Sequence, residues 1–252
     1  MRNLRRVFRL WPLQTRADSS NWSVTNETVK SCLSLVNSRS RRIGLRLGKP
    51  RQPVLTRRRI LHAATAEFAA KGLAGARVDA IASRAGVSKR MLYHYFGNKE
   101  ALWLTVIEQA YLHIRNEERE IDVGRLSPVQ GMRRLIEFTL AYDYAHPEFI
   151  SLLLGENLHR ARYLRKSRKV RELHTSLLDV IGDLLERGRR LGVFRNGVDP
   201  AELYITIAAL GFFYSSNVHM LSMIFRRDFN SAAARQQHLR HATNVVLGYL
   251  RP

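Results

Sequence analysis

The amino-acid sequence predicts an all-α protein: an N-terminal three-helix helix-turn-helix domain followed by a C-terminal helical bundle. Three observations carry this. Apolar residues recur at helical spacing from Thr56 onward. Serine, asparagine and proline stand where helices would start, and glycine where they would stop. No alternating β-branched run of strand length occurs.

Residues 1–50 show no sustained helical or strand period and are rich in Ser, Asn, Thr and Arg, as in "ADSSNWSVTNET" and "VNSRSRRIGLRLGKPRQP". That composition predicts a disordered basic arm over residues 1–53, ending at Pro50 and Pro53. Two readings of the arm stand side by side. It is an added electrostatic anchor for nucleic acid, or it precedes a true start near Val36 or Val54; the second is preferred.

From Thr56 the pattern changes. "TRRRILHAATAEFAAKG" places Ile60, Leu61, Ala64, Phe68 and Ala69 on one face, with Gly72 as the stop. "RVDAIASRAG" reads as a short second helix with Val78, Ile81, Ala82 and Ala85 inward, closed by Gly86. Ser88 opens a third helix, its hydroxyl placed to accept from the free N–H groups of the first turn. That helix runs to Phe96 and ends at Gly97, and Asn98 caps a fourth that continues to about Ile121. Five more are expected over 127–145, 147–157, 160–191, 200–225 and 231–250. Pro128, Pro147 and Pro200 sit near helix starts, where a missing N–H costs nothing.

Charge gives the first functional constraint. Lys and Arg number 42 against 21 Asp and Glu, a formal +21, which suggests a polyanionic partner. The excess is +9 over residues 1–50 (11 basic, 2 acidic), +8 over 51–99 (10 and 2) and only +4 over the remainder (21 and 17). Contact with a polyanion is therefore expected at the front. Cys32 is the only cysteine, which excludes a disulfide framework or a cysteine zinc site and fits a reducing compartment. The start, "MRNLRRVFRLWPLQTR", lacks the uninterrupted apolar core of a secretory signal, although a transit peptide would look similar. No apolar run is expected to approach the ~20 residues of a membrane span. The expected location is the cytoplasm.

The second and third helices, joined by "AGVS", have helix-turn-helix dimensions. Ala85 and Gly86 permit a tight turn, and Val87 can plug the gap between the helices. On the third helix Leu92 and Phe96 face inward, leaving Lys89, Arg90, Met91, Tyr93, His94 and Tyr95 on the outer arc. A major groove admits such a helix, with its first-turn residues at the base edges. Lys89 and Arg90 can donate to guanine O6 and N7, Arg bidentately. Met91 and Tyr93 can pack on a thymine methyl, while Tyr95 and Lys99 suit phosphate oxygens, as does the N-terminus of the fourth helix. A merely solvated face would not require two tyrosines, a histidine and a methionine beside the cations.

The stretch "ILHAATAEFAAKGLAGARVDAIASRAGVSKRMLYHYFGNKEAL" resembles the N-terminal domain of the TetR (tetracycline-repressor) family of bacterial transcriptional regulators, over about residues 56–104. The resemblance implies a TetR-like fold, with a DNA-binding domain over 54–114 and a ligand-binding and dimerisation domain over 115–252. It implies a helix-turn-helix from Arg77 to Phe96, with Ser88 opening the recognition helix. Base contacts would come from Lys89, Arg90 and Tyr93, and backbone contacts from Met91, Tyr95 and Lys99; His94 would serve either. Two departures stand out. Many members open the second helix with two hydroxyl residues where this chain has Ala76 and Arg77, so a cap is lost, although Arg77 can reach a phosphate by charge. Position 90, often small in the family, is Arg here, which leaves the operator sequence open.

The resemblance further implies a homodimer through the last two helices, acting on a double-stranded DNA operator, and a small-molecule effector. Independent support comes from "ELYITIAALGFFYSSNVHMLSMIF", apolar almost all round, and from the apolar face of "LRHATNVVLGYL". Two-fold symmetry would make the operator an approximate palindrome. Polar candidates for an effector contact are Tyr142, Asn157, His159, Tyr214, Asn217 and His219, each of which is more often a core or packing residue. The run "RARYLRKSRKVR" carries seven cations and no acid, and reads as a solvated helix face.

Nine histidines are present, but no metalloprotease, nucleophile-elbow, Walker or dinucleotide-binding pattern accompanies them. No enzyme activity, cofactor or metal is therefore expected. The remaining rival is a sequence-indifferent DNA-coating protein, which the net charge alone would satisfy.

Overall fold

The computed structural model describes residues 52–252, and among these residues there is no strand. All but the last two residues of the expected basic arm lie outside them. Nine α-helices follow in order. They are α1 (Gln52–Gly75), α2 (Val78–Ala85), α3 (Lys89–Phe96), α4 (Lys99–Arg119), α5 (Pro128–Ala145), α6 (Pro147–Leu158), α7 (Arg168–Arg190), α8 (Pro200–Ile224) and α9 (Ala232–Leu250). Short 3₁₀ turns at Val123–Arg125 and Leu164–Lys166 precede α5 and α7.

Most of the expected boundaries hold within two residues, and the exceptions have local causes. The first helix begins at Gln52, inside the stretch expected to be arm, because Pro53 is at home in a helix's first turn. Gly72 breaks that helix as expected: at φ 64° and ψ 178° it leaves helical geometry, and one further turn follows to Gly75. The helix expected over 160–191 begins only at Arg168. Arg160 and Ala161 adopt positive φ, and the buried Glu156 carboxylate accepts from the backbone N–H groups of Tyr163 (2.9 Å) and Leu164 (2.7 Å). Those bonds favour a tight turn over a helix, and the buried Ser167 then caps α7 by accepting from Val170 N. Four of the seven cations in 160–171 thus lie on turns before α7.

Two main cores organise the chain. Ile60, Phe68, Ile81, Leu92, Leu102 and Trp103 form the first, which Leu152 of α6 completes from below. Met132, Ile136, Leu140, Ile181, Leu184, Ile207 and Val246 form the second. All four residues expected inward on α2 are buried. Helix α4 joins the two halves. Its Trp103 packs edge-on against Phe68 at 5.2 Å and donates Nε1–H to Glu156 of α6 at 2.7 Å.

Helix α8 buries only one face within the chain. Leu203, Ile207, Gly211 and Tyr214 are buried, but Ile205, Phe213, Met220, Met223, Ile224 and Phe225 are exposed, as are Val245 and Tyr249 of α9. By length and composition alone α8 is apolar enough to cross a membrane, contrary to the expectation of no such run, although it packs here as one wall of the second core.

Candidate nucleic-acid interface

The interface begins with the turn between α2 and α3. Gly86 takes the left-handed conformation (φ 62°, ψ 43°) and donates to the carbonyl of Ser83, while Val87 N–H reaches Ala82 O at 3.0 Å. These bonds close the end of α2 and turn the chain sharply, a conformation that suits glycine. Val87 packs on the first core as a partly buried plug. Ser88 Oγ accepts from Met91 N at 3.1 Å and starts α3. Asn98 Oδ1 accepts from Ala101 N at 2.7 Å and starts α4 directly after it.

Leu92 and Phe96 are buried and anchor α3. Lys89, Arg90, Met91, Tyr93 and His94 are exposed on its outer arc. Lys89 is not free, since its ammonium lies 3.1 Å from the Asp79 carboxylate on α2. Arg90 has no ion pair among the described residues. Tyr95 is half-buried and packs on the first core, so it is less available than the arc geometry suggests. His94 meets its ring edge-on at 5.7 Å.

Lys99 is half-buried, and its ammonium donates to Ala74 O at 3.3 Å, holding the end of α1 against the start of α4. Arg77 is exposed, and no side chain caps α2 at this position, as the missing hydroxyl implies. Its backbone N–H instead donates to the buried Glu67 at 3.2 Å. Glu67 also pairs with Lys71 at 2.8 Å, and that ammonium hydrogen bond holds its carboxyl below the usual range. Sequence reading missed Arg59. Its guanidinium lies closest, at 3.8 Å, to the position a side chain would take at Gly86. A cation therefore flanks the turn, and the only signal for it was the "TRRR" opening of α1.

The six candidate effector contacts do not converge. Tyr214 and His219 help line a cavity of about 360 Å³ between α5, α6 and α8, which also includes Asp143, Tyr144 and Ser215. The hydroxyls of Tyr144 and Ser215 are themselves buried and have no hydrogen-bond partner among the described residues. Tyr214 itself donates to Phe229 O at 2.7 Å and stacks on His238 at 4.0 Å. Tyr142 is buried elsewhere, against His146 and Phe149. Asn217 donates to Phe213 O. Asn157 and His159 stand at the end of α6, outside this cavity. A second cavity of about 210 Å³ lies between α4, the 123–125 turn, α5 and α7. It is lined by the buried Arg115, whose guanidinium meets Glu118 at 2.6 Å.

Comparison with known proteins places this geometry. Residues 60–106 match the family model described as bacterial regulatory proteins, tetR family, and residues 128–246 match that of the tetracyclin repressor-like C-terminal domain. The chain is 35% identical over 196 residues to the HTH-type transcriptional repressor NicS of Pseudomonas putida, covering 78% of this chain and 92% of that protein. It is 31% identical over 163 residues to the HTH-type transcriptional repressor SCO4008 of Streptomyces coelicolor, covering 64% and 78%. Among solved structures, the putative transcriptional regulator SCO4942 of Streptomyces coelicolor superposes with a TM-score of 0.59 at 27% identity, over 75% of this chain and 97% of that one. A resemblance first carried by one helix-turn-helix thus extends to both halves of the described structure, and the chain belongs to the TetR family, as a DNA-binding transcriptional regulator and not an enzyme.

Proposed function

We propose that the protein is a cytoplasmic, ligand-responsive repressor that binds an approximately palindromic operator as a homodimer. Residues 54–114 serve as the DNA-binding domain and 115–252 as the ligand-binding and dimerisation domain. The carrying observation is the division of α3: Leu92 and Phe96 fix it from inside while Lys89, Arg90, Tyr93 and His94 stand exposed. Lys89, Arg90 and Tyr93 read base edges. Met91, Tyr95, Lys99 and Arg77 take the backbone, and Arg59 joins them beside the turn. Lys99 exchanges its Ala74 carbonyl for a phosphate, and Tyr95 contributes at most its hydroxyl edge.

The exposed apolar side chains of α8 and α9 support the dimer. Phe213 is 59% exposed and Met223 72%, and apolar area of this kind on two adjacent helices gains from burial against a second copy. The 360 Å³ cavity supports an effector, because its lining combines apolar Ile150 and Leu154 with Asp143, His219 and Arg235, groups able to hydrogen-bond a small molecule.

The test is selection of bound duplexes from a random pool by the purified chain, repeated with candidate small molecules. A two-fold symmetric consensus, bound ~10³-fold or more above random DNA, is expected. Equal affinity and equal salt slopes on all sequences would instead identify a coating protein.

A further inference from the structure

Where α4 passes the corner between α5 and α6, three side chains of metal-binding type meet. His113 and Glu117 stand one turn apart on α4, and His146 is the single residue between α5 and α6. Their ligand atoms all lie within 4.8 Å of one another. We propose that this cluster is a divalent transition-metal site of the zinc class that ties α4 to the α5–α6 corner.

The second layer of contacts is arranged for such a site. His113 Nδ1 lies 3.0 Å from the Tyr142 hydroxyl, and His146 Nδ1 lies 3.0 Å from Glu148 Oε1. Each imidazole thus has Nδ1 engaged by an oxygen outside the cluster, the arrangement that orients histidine ligands for a metal at Nε2, and His113 Nε2 already faces Glu117 Oε1 at 3.3 Å. Tyr142 is buried and its ring lies 4.1 Å from that of His146, so the His146 ring is also held by stacking.

Charge points the same way. In a chain with twice as many cations as acids, the only ion-pair partners of Glu117 and Glu148 among the described residues are these two histidines. Arg115, on the same helix, pairs with Glu118 instead. Two carboxylates facing two imidazoles at one corner form a negative, nitrogen- and oxygen-lined pocket. His113 and Glu117 are about half exposed, so an ion has access. Two imidazoles with one carboxylate suit Zn²⁺, Co²⁺ or Ni²⁺ and not Mg²⁺ or Ca²⁺. Water would supply the fourth ligand, since Glu148 is engaged at His146 Nδ1. Zn–N distances of ~2.0–2.1 Å require ligand atoms ~3.4 Å apart, so the site would close by about an ångström, drawing α4 toward the corner. Because α4 follows directly on α3, closure would change how α3 is presented; this consequence rests on the proposed function, whereas the site itself does not.

The test uses the full chain stripped with chelator and titrated with Co²⁺, followed by visible absorption, and with Zn²⁺, followed by calorimetry and thermal melting. One tight equivalent per chain is expected, weakened at least tenfold in His113→Ala and in His146→Ala and less in Glu117→Gln, with His241→Ala unchanged. Each metal-free variant sets its own melting baseline, because both histidines contact the buried Tyr142, and the zinc-dependent rise above that baseline should be lost. Equal binding by the wild type and both histidine variants would overturn the site, as would no binding tighter than ~100 µM. A selected duplex provides the second readout: affinity unchanged by saturating Zn²⁺ would overturn the coupling. Failure to find a preferred duplex, with metal binding intact, would instead count against the repressor reading.

Discussion

Replacing Arg90 with alanine gives the sharpest test of how α3 divides its work. Arg90 stands exposed in the first turn of the helix, without an ion pair among the described residues, so its guanidinium can reach DNA without first breaking an ion pair. A bidentate contact to guanine is worth ~1–3 kcal/mol of discrimination, which corresponds to roughly 5- to 150-fold. Lys89 differs. It must leave the Asp79 carboxylate, 3.1 Å away, with both side chains at least half exposed, and such a pair is worth ~0.2–1 kcal/mol. Lys89→Ala should therefore cost less than Arg90→Ala, and Asp79→Asn should tighten binding slightly. The assay is fluorescence anisotropy with the selected duplex and its single-base variants at several salt concentrations. Arg90→Ala should flatten the preference at one base pair of each half-site. If it instead weakens every duplex equally and changes the salt slope by about one, Arg90 is a phosphate contact and the assignment fails.

Three further outcomes follow from the structure. Glu156→Ala removes the acceptor of three donors, Trp103 Nε1 and the Tyr163 and Leu164 amides, at ~1–3 kcal/mol for each one left buried; a fall in melting temperature of ~10 °C or more is expected, and a loss below ~1 kcal/mol would show that the turn does not depend on it. Asp143 is buried, and desolvation raises its carboxyl from 3.8 to about 7 against the pull of Arg115. The folded state therefore binds its proton more tightly than the unfolded one, and stability falls as pH rises from 3.8 through 7, by at most ~4 kcal/mol. Asp143→Asn should stabilise more at pH 8 than at pH 4 in thermal melts, and a pH-independent difference would refute the shift. Phe213→Asp, on the exposed face of α8, should halve the mass measured by sedimentation without changing the helical circular dichroism; an unchanged dimer mass would move the interface off α8.

What the sequence disclosed was local. Gly86, Ser88, Gly97 and Asn98 could be read because each acts through its own backbone or through one side chain reaching three residues along. The buried positions of α2 followed from spacing in the same way. What escaped depends on partners distant in the chain. Nothing near residue 160 announces a turn, since the carboxylate that favours it belongs to Glu156 and is itself fixed by Trp103 on another helix. Lys99 looked like a free cation until the end of α1 supplied the Ala74 carbonyl. Tyr95 looked like surface because a single-helix view cannot show the core beside it. The six effector candidates were chosen as polar residues on apolar helices, and periodicity carries no information about which of them share a cavity. His113 and Glu117 show the i,i+4 pattern, but only the fold brings His146 to them.

Helix α4 belongs to both halves, and this bears directly on how a signal would travel. Its first half contributes Leu102, Trp103, Val106 and Ile107 to the core beneath α3, and its second half places Ile114 against Tyr142, Phe149 and Ile150. The helix has 21 residues, about 31 Å of rod. Trp103 is gripped at its edge by Phe68, at Nε1 by Glu156, and along its six-membered ring by Gly155, where a Cβ would come within 2.9 Å. That end behaves as a pivot, because close-packed contacts of this kind resist sliding. The other end borders the 210 Å³ cavity through Arg115, Glu118 and Arg119 and has room to move. A tilt of ~5° about the pivot shifts the far end by ~1–2 Å, while the rigid packing around Trp103 passes the rotation to α3. In a symmetric dimer the two recognition helices would be displaced in opposite directions, so the error at the operator doubles. Base-edge hydrogen bonds tolerate a few tenths of an ångström. For the repressor proposed above, a small motion at the loose end of α4 would then be sufficient to release DNA.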